Sequence, residues 1–371
     1  MRWLNLGLAI LIGAHVPVGA KPVNELIGAL DTAQAGSQVP AMGVVLIRDG
    51  QVVNSAVRGV RRAGSPAQIR LGDSWIIGST AKVQTVAMIA RLVERGVLRW
   101  DAPLSQMLPD LAATVRPEYR SVTLVQLLSH HAGLPENISD MAFFESFFHD
   151  KRTLEVQRRA YITRALQESA SYSPGTAYGY SNTGFLIAAA IAERATGRSY
   201  EQLMRREVFG PLGMTSAGFG ATSPGEPSGH NGGKPVPPSN PDMFAPAGNL
   251  HMSLRDWSRF CIDQLQGASG HGHLLSPASY RLMQSAQPNG TSGVDWGIQP
   301  TIAGRQGPAL VHGGSDGNWF AYMVLFPKTG NGVLVIDNAS ADMDGDTAVM
   351  ALLAAILPTI APPKEPQQDR P

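Results

Sequence analysis

Apolar positions recur at helical spacing from Pro22 to Ala35, where Val23, Leu26, Ile27 and Leu30 form one stripe. The period then changes. Two short apolar runs, Met42 to Ile47 and Val52 to Val57, flank Arg48-Asp49-Gly50. Asp-Gly between such runs predicts an antiparallel hairpin. Ser74-Trp75-Ile76-Ile77 is a further strand-like run. It passes through Gly78 into a helical pattern from Ser79 to Glu94, with Gly96 placed to cap the C-terminus.

The middle of the chain reads as helix and loop. Val122 to Ser129 predicts a short apolar helix, and Gly184 to Ala195 is apolar almost all round, as a buried helix is. Tyr200 to Phe209 predicts another, stopped by Gly210 and Pro211. Thr215 to Asn249 is rich in Gly, Pro and Ser and long for a loop, so it is either a lid over a site or poorly ordered.

Strand patterns return in the last third. Ala309 to Val311, Trp319 to Phe326 and Gly332 to Ile336 are separated by glycine-rich turns, and Ala348 to Leu357 predicts a closing helix. The expected fold is of α/β (α+β) type: an antiparallel sheet of five or more strands, flanked by helices and completed by both ends of the chain. Residues 21–78 and 250–360 supply the sheet, residues 79–249 an inserted helical subdomain, and 361–371 a polar, proline-rich disordered tail.

Composition narrows the classes. The 371 residues carry a net charge of +1 with no basic stripe, which argues against nucleic acid as a partner. Met1 to Ala20 reads as an export signal: Arg2, an apolar core from Leu4 to Ile12, then Val18-Gly19-Ala20 as a cleavage site. The apolar run is short for a membrane anchor, and no later segment is apolar enough to span a bilayer. The mature chain is therefore expected to start near Lys21, without a membrane span, in a bacterial periplasm or outside the cell. The single cysteine, Cys261, allows no intramolecular disulfide and reads as a buried structural thiol.

Chemistry enters at Gly78-Ser79-Thr80-Ala81-Lys82. A serine and a lysine three apart share a helix face. Ser79 in a first helical turn would have unpaired N–H groups beside it, and a Lys82 shifted below its usual ~10.4 could take its proton. Most S-x-x-K matches are ordinary helix surface, but of the six lysines Lys82 alone has a serine three residues before it. Tyr180-Ser181-Asn182 is a second candidate. Its phenol could relay a proton if nearby cations lowered its pKa, and Asn182 could hold a lysine and a substrate carbonyl. The third is Val311-His312-Gly313-Gly314-Ser315. Two glycines in a strand mark close backbone approach, and the Ser315 N–H could join that of Ser79 as an oxyanion hole.

In this order, Ser79-x-x-Lys82, Tyr180-x-Asn182 and His312-x-Gly314 resemble the serine β-lactamase and penicillin-binding-protein superfamily. The tyrosine points to the class C β-lactamase-like branch. Leu127 to Leu134, Pro211 to Met214 and Pro246 to Leu250 resemble it too. The resemblance spans about residues 22 to 358 and implies a β-lactamase/transpeptidase-like fold. It implies that Ser79 is acylated, that Lys82 and Tyr180 share the proton work, and that Asn182 holds Lys82 and the substrate amide. His312, Gly313, Gly314 and Ser315 would line the substrate, a small molecule or a peptide-like chain. His312 stands where many lactamases have lysine, which weakens a fixed charge for a β-lactam carboxylate. The implied activity is that of an exported serine hydrolase that cleaves an ester, amide or lactam bond, of esterase or D-amino-acid peptidase type, with no cofactor. The alternatives are a class C-like β-lactamase and a non-catalytic penicillin-binding or peptidoglycan-sensing module.

Several strings are set aside. Lys328-Thr329-Gly330 reads as a hairpin turn about 30 Å of strand away from Ser315. Gly313 to Gly317 spells G-x-S-x-G, but a strand follows it, and His312 is the last of nine histidines, so no later histidine could complete a triad. His130-His131 and His271-x-His273 have no accompanying carboxylate or cysteine cluster, so no metal site is expected.

Overall fold

The computed structural model describes residues 23–288, 290 and 292–361. The expected leader and the tail from Pro362 lie outside these residues. In chain order the strands are β1 (Ala41–Arg48), β2 (Gln51–Gly59), β3 (Ser74–Ile76), β4 (Gly218–Phe219), β5 (Gly229–Asn231) and β6 (Lys234–Val236). They continue with β7 (Leu250–Ser253), β8 (Gly297–Ile302), β9 (Arg305–Ser315), β10 (Phe320–Phe326) and β11 (Asn331–Asp337). Six form one antiparallel sheet in the order β2-β1-β11-β10-β9-β8. The N-terminal hairpin joins the C-terminal strands through β1 and β11, from Met42 opposite Asp337 to Ile47 opposite Gly332.

Side-chain alternation along β1 explains why both faces of the sheet are covered. Met42, Val44 and Leu46 point into a core closed by the helices Val23–Ala35 and Gly345–Ile360. Val45 and Ile47 point into the opposite core, with Trp257 and Phe260 of the helix Leu254–Gly267. A strand buried on both faces is a continuous apolar run, and each such side chain contributes about 1.5–3 kcal/mol. The fold is mixed helix and antiparallel sheet, the arrangement that the resemblance implies.

Some elements differ from the sequence expectation. β8 carries Pro300 at a register shift and is half exposed at the sheet edge, so it presents no apolar run. Ser79 lies in a 3-10 turn, Gly78–Ala81, that precedes the α-helix Lys82–Glu94 rather than in the helix itself. The helix Tyr200–Met204 widens into a π-helical turn, Arg205–Phe209. The stretch from Thr215 to Asn249 is anchored at points, with His230 wholly buried and residues 243–249 in the core. The His230 Nδ1–H donates to the Asn338 carbonyl at 2.8 Å, and Nε2 accepts from the Ala63 N–H at 2.9 Å. That stretch is therefore pinned to the end of β11, and its short helix Ala245–Gly248 lies against the Gly78–Ala81 turn.

A buried ion cluster braces this wall. Arg158, without exposure, bonds Glu193 at 3.0 Å and Glu201 at 3.0 Å, and reaches the Met243 carbonyl at 3.4 Å. Arg158→Ala would leave the Glu193 carboxylate buried and unpaired. Chemical denaturation should then show a loss of about 3–5 kcal/mol; a loss below about 1 kcal/mol would refute the bracing role.

Candidate active site

The Gly78–Ala81 turn and the end of β9 touch backbone to backbone. Gly78 takes φ +53°, and a Cβ there would sit 2.4 Å from the Ser315 nitrogen. A Cβ on Gly314 would sit 2.7 Å from the Ser79 nitrogen and 2.6 Å from that of Thr80. Both positions require glycine, one for a left-handed conformation and both for space. The contact sets the backbone of Ser79 beside that of Ser315.

Ser79 is the meeting point of the first two motifs. Lys82 Nζ is 3.0 Å from Ser79 Oγ, and the Tyr180 hydroxyl donates to the same oxygen at 2.7 Å. Lys82 is fully buried, donates to the Ala247 carbonyl, and lies 5.0 Å from the Tyr180 ring and 5.4 Å from that of Phe185. Burial lowers its pKa to about 7, against the raising pull of Asp295 and Glu136. Tyr180 departs from expectation: burial pushes its phenol well up, although the bond to Ser79 opposes this, so it is a neutral O–H donor.

Asn182 lines the same cavity, but its amide donates to Asn137 Oδ1 at 2.9 Å. The expected grip on Lys82 is supplied by the Ala247 carbonyl instead. Ser315 also lines the cavity, and its Oγ accepts from the Gly317 N–H at 2.8 Å. Gly313 packs on the Tyr322 ring, outside the cavity lining. His312 is likewise outside it. Its Nδ1 bonds the Gly313 carbonyl at 2.8 Å and its Nε2 the Asp295 carboxylate at 3.0 Å. The imidazole thus turns back into the fold and does not project to a substrate.

Asp295 had no signal in the sequence beyond a charge flanked by Val294 and Trp296. Its buried carboxylate spans two histidines, His312 on one oxygen and His130 on the other, each at 3.0 Å. Burial works to raise this carboxyl, but the pull of His312 and the bonds from both rings outweigh it and hold it below the usual range. His130 Nδ1 accepts from the Ser181 N–H at 3.0 Å, so its proton sits on Nε2, facing Asp295. Burial lowers the His130 pKa and keeps the ring neutral. That ring stacks on Tyr180 with centroids 4.7 Å apart. Asp295 therefore ties β9 to the support beneath the phenol.

The cavity over Ser79 has a volume of about 410 Å³. Glu136, Asn137, Asn182, Met141, Phe144, Phe244, Phe320 and Asp346 contribute to its walls. Among the described residues no group of three or more His, Cys, Asp or Glu side chains could hold a metal ion, and no helix is long and apolar enough to cross a membrane. Lys328-Thr329-Gly330 occupies the β10–β11 turn, at the far end of the sheet from Ser315.

A serine oxygen set between a buried amine and a phenol, in this sheet-and-helix frame, fits the class of β-lactamase-fold serine hydrolases. The chain matches the Beta-lactamase family over residues 26–355 and belongs to it. Penicillin-binding protein 4 of Amycolatopsis lactamdurans is 26% identical, over 91% of this chain and 92% of its own length. The D-alanyl-D-alanine-carboxypeptidase/endopeptidase AmpH of Escherichia coli (strain K12) is 26% identical, over 81% of this chain and 80% of its own. Among solved structures, the octameric penicillin-binding protein homologue from Pyrococcus abyssi superposes with a TM-score of 0.75 at 25% identity, covering 91% of this chain and 78% of that one.

The close approach at Gly314 makes a direct prediction. Gly314→Ala should displace the Ser79 turn and cut kcat/KM by about a hundredfold. It should also lower the unfolding free energy by about 1–3 kcal/mol. Wild-type kinetics in a folded variant would refute the contact.

Proposed function

We propose that this protein is an exported serine hydrolase, its mature unit running over residues 21–360, that forms an acyl-enzyme on Ser79. The substrate bond is an ester or an amide. The observation that carries this reading is the placement of Ser79 Oγ between the Lys82 amine and the Tyr180 hydroxyl, at 3.0 and 2.7 Å.

Neutral Lys82 takes the Ser79 proton as Oγ attacks the carbonyl carbon. The tetrahedral oxygen receives the N–H groups of Ser79 and Ser315. The resulting Lys82 ammonium returns a proton to the leaving group, with the Tyr180 O–H as the bridging donor. Tyr180, raised by burial, does not serve as a phenolate base. Water then replaces the leaving group and Lys82 repeats the transfer, which frees the acid and restores Ser79. Asn182 would orient the acyl amide from the cavity wall.

A class C-like β-lactamase is the second reading. It is weaker because His312 bonds Asp295 and is absent from the cavity lining. A lactam carboxylate has no fixed cation there to meet. The third reading, a sensor, is tested by lifetime: an adduct on Ser79 that persists for hours without turnover would favour it.

Two outcomes are expected. Intact mass spectrometry after brief exposure to a short-chain nitrophenyl ester should show one acyl group on wild type and none on Ser79→Ala. That variant should lose at least about a thousandfold in kcat/KM. If it retains wild-type turnover, the reading fails. Separately, kcat/KM should fall about tenfold per pH unit below about 7, because Lys82 must be neutral to accept a proton. An acid limb that stays flat down to pH ~5 would remove Lys82 as the base.

A further inference from the structure

Resting on the acyl-enzyme reading, we propose that the Ser79 cavity selects an acyl group that carries a cationic nitrogen, with Glu136 as its anchor. Among the described residues, the cavity lining includes Glu136, Asp316 and Asp346 but no lysine, arginine or histidine. The nearby cation, Lys82, is fully buried and engaged with Ser79 and Ala247. His312 faces Asp295.

The three carboxylates are not equivalent. Asp316 accepts from the N–H groups of Asn318 at 2.9 Å and Ser239 at 3.3 Å, and burial raises its pKa, so it serves its own turn. Asp346 accepts from the adjacent Thr347 N–H at 2.9 Å and lies at the start of the last helix. Glu136 differs. Its backbone is held by the Asn182 N–H at 2.8 Å, yet its carboxylate has no hydrogen-bond or ion-pair partner among the described residues. It is close enough to raise both Lys82 and Tyr180, which places its charge beside the reacting centre. A half-buried, unpaired carboxylate is costly unless a ligand meets it.

The aromatic part of the lining suits the same ligand. Phe144 and Phe244 meet edge to face, with centroids 5.4 Å apart, and both line the cavity. Aromatic faces beside a carboxylate accept an alkylammonium group through its apolar methyls and its charge together. Asn182, assigned above to the acyl amide, neighbours Glu136 through that 2.8 Å backbone bond, so the cation belongs to the acyl side.

The test compares three 4-nitrophenyl esters of matched length: 4-(trimethylammonio)butanoate, its neutral isostere 5,5-dimethylhexanoate, and glutarate. The wild-type protein should prefer them in that order. The ratio of kcat/KM for the cationic over the neutral ester should fall about tenfold in Glu136→Gln. Using the ratio within each protein cancels intrinsic ester reactivity and any loss of folded material. Added salt should shrink the wild-type ratio. Ser79-dependent turnover with an unchanged ratio in E136Q, or with glutarate as the best substrate, overturns the cation site and leaves the acyl-enzyme reading standing. Turnover that survives in Ser79→Ala, or no turnover of any of the three, overturns both.

Discussion

An amine kept dry beside a hydroxyl is the condition on which the rest of this site depends. Lys82 sits in the core with a serine oxygen, one carbonyl and two aromatic rings around it, and no ion-pair partner among the described carboxylates. A carboxylate in contact would hold its proton on. Burial brings it to about 7 against the raising pull of Asp295 and Glu136. The fold carries a cost for this. The unfolded lysine titrates near ~10.4, so between about 7 and ~10.4 the unfolded chain binds more protons. Stability linked to this group rises with pH across that window and is absent below it.

Asp295 shows how a negative charge is tolerated so close to that amine. Its two oxygens are taken by two imidazoles, and its pull on Lys82 is smaller than the effect of burial. The same three-membered bridge sets geometry. One end fixes the tautomer of His130, on which Tyr180 rests; the other holds the strand whose Gly314 lies against Ser79. The backbone pays for this placement: His130 and Asp295 take φ +64° and +69°, conformations that non-glycine residues seldom adopt. Strain of this kind persists only where surrounding contacts over-determine it. Here each strained residue is locked by the other's side chain.

The frame was legible because its strands are doubly buried. β1, β10 and β11 appear as apolar runs for the same reason that they occupy the middle of the sheet, and Asp49-Gly50 closes the first hairpin. β8 escaped because an edge strand with Pro300 needs no such run. Ser79, Lys82 and Tyr180 were found because short spacings carry them, and the structure gathers all three. What spacing does not carry was missed. Ala247 acts through a carbonyl that any residue would supply, and Asp295 acts through two partners 165 and 17 residues away in sequence. His130 was visible only as one of a histidine pair, and nothing local tells which ring supports a phenol. The expected roles of Asn182 and His312 shifted for one reason: each found a nearer partner, Asn137 in one case and Asp295 in the other.

The position of His312 bears on what the cavity can accept. A lysine on that strand would extend a mobile charge toward the substrate, where it could meet a carboxylate. A short ring with both nitrogens engaged cannot follow. The imidazole is thus withdrawn from the cavity into the bridge behind it, while Glu136 and Asp346 remain at the wall. One substitution of residue type therefore acts twice. It places no amine there to meet an anionic group, and among the described residues it leaves the wall carboxylates with no cation in the cavity lining. The Lys82 amine is untouched, because it owes its lowered pKa to burial and not to a charge on that strand. The buried amine and the wall carboxylates are in this way set by separate residues, and the bridge through Asp295 joins the strand beside Ser79 to the ring beneath Tyr180.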